Sequence, residues 1–238
     1  GADFEGANLS NARLGVVENA NLKLAKLDGA TLYALKNSEV EGATLKAVKR
    51  FFAPPGMNEN GIVDVSLKDM DLSGINLAQV ELSNVDLSGA NLKGADLRQA
   101  KLTGVNLSGA DLTAANLPRA ELQKSNLSGT NFSDANLEQA DLTGAIIDTT
   151  TNFKGAILKS INISEAQLTG VDFSGLDLSG SRFANSTLDG VKFLNADLMG
   201  ATFIQVTLTN VVFAEAKLEN VSFVDTEMPS VNLSKLNL

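Results

Sequence analysis

The sequence predicts an all-β solenoid, a four-sided parallel β-helix. Three observations carry the prediction. One five-residue unit is restated without a break from Val85 to Leu117, as VDLSG ANLKG ADLRQ AKLTG VNLSG ADLTA ANL. Phe fills the centre of the unit at 153, 173, 193 and 213, and again at 183, 203 and 223. Each series steps by twenty, and the two are offset by ten. Leu takes the alternate centres at 158, 168, 178, 188, 198, 208 and 218. Twenty residues are four units, so a square coil puts the rings in two columns on opposite sides, with Leu on the other two. A three-sided coil of fifteen would scatter Phe over every face. A period this short cannot be a helical bundle or a barrel, and a repeat must be read before any motif within it.

The unit has a small residue, then Asp or Asn, then Leu, then two small or polar residues. It resembles the unit of the pentapeptide repeat family, and the resemblance covers nearly the whole chain. What it implies is a right-handed quadrilateral β-helix with one unit per side. The central Leu or Phe and the small residue two before it then point inward, and successive rings lie about 4.8 Å apart, one strand spacing.

Residues 1–47 read as shortened coils. Leu14, Val17, Leu22 and Leu27 repeat as Leu32, Leu35, Val40 and Leu45, each pair eighteen apart. One side is therefore pinched by two residues at the same corner of each coil. The rival reading is an amphipathic helix around Ala30–Ala47. Ala20-Asn-Leu, Ala25-Lys-Leu, Ala30-Thr-Leu and Ala43-Thr-Leu keep to the five-residue template and favour the coil.

Residues 48–61, VKRFFAPPGMNENG, interrupt the repeat. Pro54-Pro55-Gly56 and Asn60-Gly61 are turn signals. The stretch is either an excursion loop or a distorted coil that converts eighteen-residue packing to twenty. In the resembled family, loops leaving the helix often carry partner contacts. Phe51, Phe52, Pro54, Pro55 and Met57 are therefore the candidate partner-binding residues. The structural alternative is that Phe51 or Phe52 fills a core position.

Residues 62–238 are the regular part of the same rod. Eighteen centres run from Ile62 to Ile147 in steps of five. One residue is then added near Asp148-Thr149-Thr150-Thr151, a corner bulge, and eighteen more centres follow from Phe153 to Leu238. The whole rod has about twelve coils and a length on the order of 55–60 Å. Gly recurs two after the centre, where a type II turn needs positive φ. Pro118 sits in a corner, where its fixed φ is tolerable. No cap is visible at either end. Partners, end-to-end homodimerisation or further sequence would each cover the exposed core.

Composition narrows the function. His and Cys are both absent. That removes imidazole bases, Ser-His-Asp chemistry and the usual zinc ligands. Absent Cys fits a reducing or an oxidising compartment equally. Carboxylates recur at the repeat's own spacing on adjacent faces, not opposed in a pocket. No phosphate loop is present, since no Gly-Lys-Ser/Thr follows the Gly spacings. Asp columns that would suit calcium are interrupted, as by Lys192 and Val212 above Asp172. Thr187 and Thr207 form only a fragment of a flat Thr array. No cofactor, metal or catalytic residue is expected, and no apolar run approaches the roughly 20 residues that span a bilayer. The net charge is −9. Residues 1–61 are neutral, so the excess lies in the rod beyond, which disfavours direct nucleic-acid binding.

The expected function is a non-catalytic structural or protein-interaction solenoid that uses its outer faces. The family resemblance implies an alternative. Its quinolone-resistance members resemble a DNA duplex in size and charge and bind DNA gyrase in its place.

Overall fold

The computed structural model describes residues 1–28, 30–36 and 67–231. All strand pairing among them is parallel, and no helix forms. From residue 67 each bridge joins a residue to the one twenty ahead. Asp71 pairs with Asn91, Asn76 with Asp96, Glu81 with Lys101 and Asp86 with Asn106. Four bridges per twenty residues are four sides per coil.

The sides are named here by a central residue. The Leu107 side has centres at 67, 87, 107, 127, 147, 168, 188, 208 and 228. The Phe132 side follows with 72, 92, 112, 132, 153, 173, 193 and 213. The Leu137 side has 77, 97, 117, 137, 158, 178, 198 and 218. The Phe183 side has 82, 102, 122, 142, 163, 183, 203 and 223.

The interior is built as the spacing requires. Central side chains from Leu67 to Leu218 are almost fully buried, as are the small residues two before them. Phe173, Phe193 and Phe213 stack directly, with centroids 5.6 and 5.3 Å apart. Phe183, Phe203 and Phe223 stack opposite them at 4.8 and 5.1 Å. The two columns meet edge to face across the axis, Phe183 against Phe193 at 5.8 Å. Each buried centre contributes about 1.5–3 kcal/mol. The few inward hydroxyls are satisfied by the coil below. Ser125 Oγ donates to the Leu102 carbonyl, Thr130 Oγ1 to Leu107 and Thr151 Oγ1 to Leu127.

Backbone bonds tie every coil to the next. On the Phe132 side Leu72 N donates to the Asn91 carbonyl at 2.7 Å and Gly74 N to that of Lys93 at 2.8 Å. Asn91 N returns a bond to the Met70 carbonyl at 2.8 Å. The corner is closed by Ile75 N donating to the Leu72 carbonyl, with φ of +65° at Gly74. That combination defines a type II turn.

The length of this closing bond varies along the rod. Before Ala it measures 2.9–3.1 Å and before Val105 and Val221 3.1 Å; before Ile75, Val80 and Val85 it is 3.2 Å, before Ser125 3.3 Å and before Met70 3.4 Å. Where Val171, Ser186, Val191, Val206, Val211 and Thr226 occupy this position, no closing bond forms. The preceding segments become short strands. On the Leu107 side these are β3 (Gln167–Thr169), β5 (Thr187–Asp189) and β7 (Thr207–Thr209). On the Phe183 side they are β4 (Arg182–Ala184), β6 (Thr202–Ile204) and β8 (Ser222–Val224). Each trio forms a three-stranded parallel sheet in register, Phe183 against Phe203 against Phe223.

The added residue is visible as a change of step. Asn131 pairs with Asn152, Asn136 with Ile157 and Asp141 with Asn162, each twenty-one apart. The step returns to twenty at Ile157 and Asp177. Asp148 organises the bulge. Its carboxylate accepts from the amide and hydroxyl of Thr150, and Thr151 N donates to its carbonyl at 3.1 Å.

Near the N-terminus the step is eighteen: Asp3 pairs with Asn21 and Asn8 with Lys26. β1 (Arg13–Glu18) and β2 (Thr31–Lys36) are six residues long, because the pinch merges two sides into one strand. Val17 pairs with Leu35 as the spacing requires. Leu14 does not pair with Leu32. Gly15 does, and the register shifts on either side of it. The helical reading of Ala30–Ala47 is overturned over 31–36, which are strand. The remainder of that stretch and the interruption at 48–61 lie outside the described residues.

Candidate interaction faces

With the interior filled, chemistry is left to the outer positions. These are the residue before each centre and the two after it. Asp and Asn before the centre close a local loop with their own turn: the Asp71 carboxylate accepts from Ser73 N at 3.1 Å, and Asp111 from Thr113 N at 3.0 Å. They also bond up the rod. Asn91 Nδ2 donates to Asp71 at 3.0 Å, Asn106 to Asp86 at 3.1 Å and Asn162 to Asp141 at 3.1 Å. Cations sit one coil from their acids, as Lys101 on Glu81 at 3.2 Å and Lys217 on Asp197 at 2.9 Å.

These contacts set the electrostatics. The Arg98 guanidinium holds the Asp96 carboxyl below the usual carboxylate range. The Thr150 hydroxyl does the same for Asp148, helped by Ser128 and the Gly129 amide. From residue 67 to 231 each of the four sides carries five acids. They differ in their bases. The Leu137 side holds Arg98, Arg119, Lys159 and Lys217, whereas the Leu107 side holds Lys68 alone. Among the described residues the exposed large apolar side chains are Leu24, Ile146 and Ile157, and four more between 194 and 224: Leu194, Met199, Val212 and Val224.

One corner is hollowed. Ala78, Arg98, Pro118 and Glu138 line it beside Gln79, Gln99, Arg119 and Gln139, on the turns that leave the Leu137 side. Nothing in the hydrophobic period marks this groove. Its signal is the run of long side chains in a column where Gly is expected.

Phe51, Phe52, Pro54, Pro55 and Met57, the residues singled out by the interruption, lie outside the described residues. Asp172, Lys192 and Val212 do share one column, so the interruption of that Asp series is real. Among the described residues no cluster of His, Cys, Asp or Glu is arranged to hold a metal ion, and no helix is long and apolar enough to cross a membrane.

The profile of the pentapeptide repeats family matches in eight copies, over residues 63–99, 71–109, 106–144, 149–183, 166–205 and 177–213. That is more than half of the chain. The chain belongs to the pentapeptide repeat family. No curated protein matches it by sequence. Among solved pentapeptide repeat structures it is similar to HetL, involved in heterocyst differentiation regulation in the cyanobacterium Nostoc. That match has 22% identity over 97% of this chain and 92% of that one, with a TM-score of 0.39. It is also similar to full-length QnrB1, a plasmid-mediated fluoroquinolone resistance protein, at 14% identity over 90% and 93%, TM-score 0.29. A pentapeptide repeat protein of the Arabidopsis thaliana thylakoid lumen is 32% identical over 44% of this chain and 69% of that one, TM-score 0.24. The assignment to the pentapeptide repeat family rests on the sequence profile and the five-residue side.

Proposed function

We propose that this pentapeptide repeat protein is a non-catalytic interaction rod that binds a protein partner through its outer sides. The observation that carries the reading is the division between interior and exterior. The inward positions from 67 to 218 are filled by apolar or small side chains. Every group able to recognise another molecule stands outside, repeated coil after coil on a stiff frame. No cofactor enters the reading, and five acids on each side argue against direct contact with nucleic acid. The interruption at Phe51, Phe52, Pro54, Pro55 and Met57 is a second place for partner contact.

Charge reversal one side at a time tests the reading. Asp86→Lys with Asp189→Lys, Asp71→Lys with Asp172→Lys, Asp177→Lys with Asp197→Lys, and Glu121→Lys with Asp141→Lys give four rods with equal net charge. The reading expects one of them to lose cross-linked partners that the others keep, while all four stay folded by circular dichroism. Four identical partner sets would contradict it. Replacing Phe51, Phe52 and Met57 together by Ser is expected to weaken capture and leave Tm unchanged. A large fall in Tm would make them core.

The second reading, a DNA-like body that occupies gyrase, is favoured by the Leu107 side, whose acids face only Lys68. The magnitude weighs against it. A duplex of about 58 Å carries roughly 34 negative charges, and this chain nets nine. Inhibition of gyrase supercoiling, or its protection from fluoroquinolone at micromolar protein, would restore that reading.

A further inference from the structure

The corner that leaves the Leu137 side differs from the other three. Its left-handed turn position carries Gln79, Gln99, Arg119 and Gln139 in four successive coils, with φ of +59, +55, +58 and +59°. The corresponding column of the Leu107 side holds Gly89, Gly109, Gly129, Gly170 and Gly190. Side chains in this conformation cost energy that Gly avoids. Here the fold keeps four long ones in a row, and they wall the groove over Ala78 and Pro118.

The groups in the groove are only partly committed. Gln79 Nε2 donates to Gln99 Oε1 at 2.8 Å, and Arg119 Nε to Gln139 Oε1 at 2.8 Å. Arg98 is engaged by Asp96 through Nε at 2.8 Å and Nη2 at 2.6 Å. Among the described residues, Gln99 Nε2 and both Nη groups of Arg119 donate to no protein acceptor. The break between the two bonded pairs therefore holds a guanidinium with both Nη groups free beside a free amide donor, with Glu138 the one carboxylate on the lining. Four coils span about 14 Å, the length of roughly four extended residues.

We propose that this groove binds an extended acidic peptide segment of a protein partner. The guanidinium of Arg119 takes a carboxylate in the two-pronged geometry its planar fork favours. The Gln side chains present the donor and acceptor of a peptide group, and so pair with main chain laid along the corner. A small free carboxylate would leave those amides unused. The proposal deepens the interaction-rod reading and rests on it.

The test uses the full chain and a library of N-acetylated, C-amidated hexapeptides with one fixed central Asp or Glu and random flanks. Wild type is expected to enrich a subset over Gly-Ser hexapeptides, and fluorescence anisotropy then gives affinities. Arg119→Ala is expected to weaken the enriched peptide at least tenfold, as is exchanging its Asp or Glu for Asn or Gln. Arg182→Ala, a base on another side, should change nothing. Gln99→Gly separates binding from structure: it relieves the left-handed turn, so Tm holds or rises while affinity falls at least threefold. Absence of enrichment overturns the proposal, as does full binding by Arg119→Ala. If either occurs while side-specific partner loss persists in the charge-reversed rods, the groove assignment alone is wrong.

Discussion

Phe193 shows how a single side chain holds this rod. Its ring stacks on Phe173 and Phe213 and meets Phe183 and Phe203 edge-on at 5.8 and 6.2 Å. Phe193→Ala leaves a void that four rigid neighbours cannot fill. The expected cost is about 3–5 kcal/mol, read from denaturant unfolding followed by circular dichroism. Leu194→Ala, one residue on and exposed, should stay within about 0.5 kcal/mol. The turn position offers a second comparison. Gly109 has φ of +67° and open space where a Cβ would stand. Gly109→Ala therefore costs only the dihedral penalty, about 1 kcal/mol. At Gly170 the new Cβ would lie 2.8 Å from Thr149 Cγ2, so Gly170→Ala should cost more. Ala114, held at φ +55°, should gain stability as Gly by about the amount Gly109 loses.

At the scale of the element, the corner is where sequence and structure part company. The period of five and the twenty-residue Phe step made the coil, its four sides and the extra residue near Asp148 legible from the sequence. Phe132 escaped its column because the insertion makes its step to Phe153 twenty-one, although the rings stack at 5.4 Å. Open and closed turns were not legible either. Ser186 and Thr226 end open turns and Val105 and Val221 end closed ones, so the size of the inward residue does not sort them. Leu14 failed to pair with Leu32 because the pinched side is one continuous strand whose register shifts at Gly15. The corner groove was hidden for another reason. Gln79, Gln99, Arg119 and Gln139 disturb no hydrophobic period and read as solvated turn residues until their φ values are seen. The bulge gives this scale its test. Asp148→Ala removes the acceptor of the Thr150 amide and hydroxyl. It should destabilise by about 1–2 kcal/mol, while Asp177→Ala, in an ordinary corner, costs less.

The whole molecule behaves as a stack in which each coil is supported by its neighbours. Its pH response follows from the carboxylates. Asp96 and Asp148 have folded pKa values below the ordinary 3.8. Their stabilisation is fully present above that value and is lost as pH falls through the folded ones. With no His in the chain, no side chain of ordinary pKa near 6.5 titrates on the way. Tm by circular dichroism should be flat from about pH 7 to 5 and fall below about pH 4. A transition near pH 6.5 would contradict this. The central claim is that the chain climbs one strand spacing every twenty residues with its polar side chains outside. The absence of Cys makes a direct measurement clean. Nitroxide labels at Lys93→Cys and Leu194→Cys sit in one outer column five coils apart, so pulsed electron–electron resonance should give a separation near 24 Å. A distribution centred beyond about 40 Å, or spread without a maximum, would contradict the coil itself.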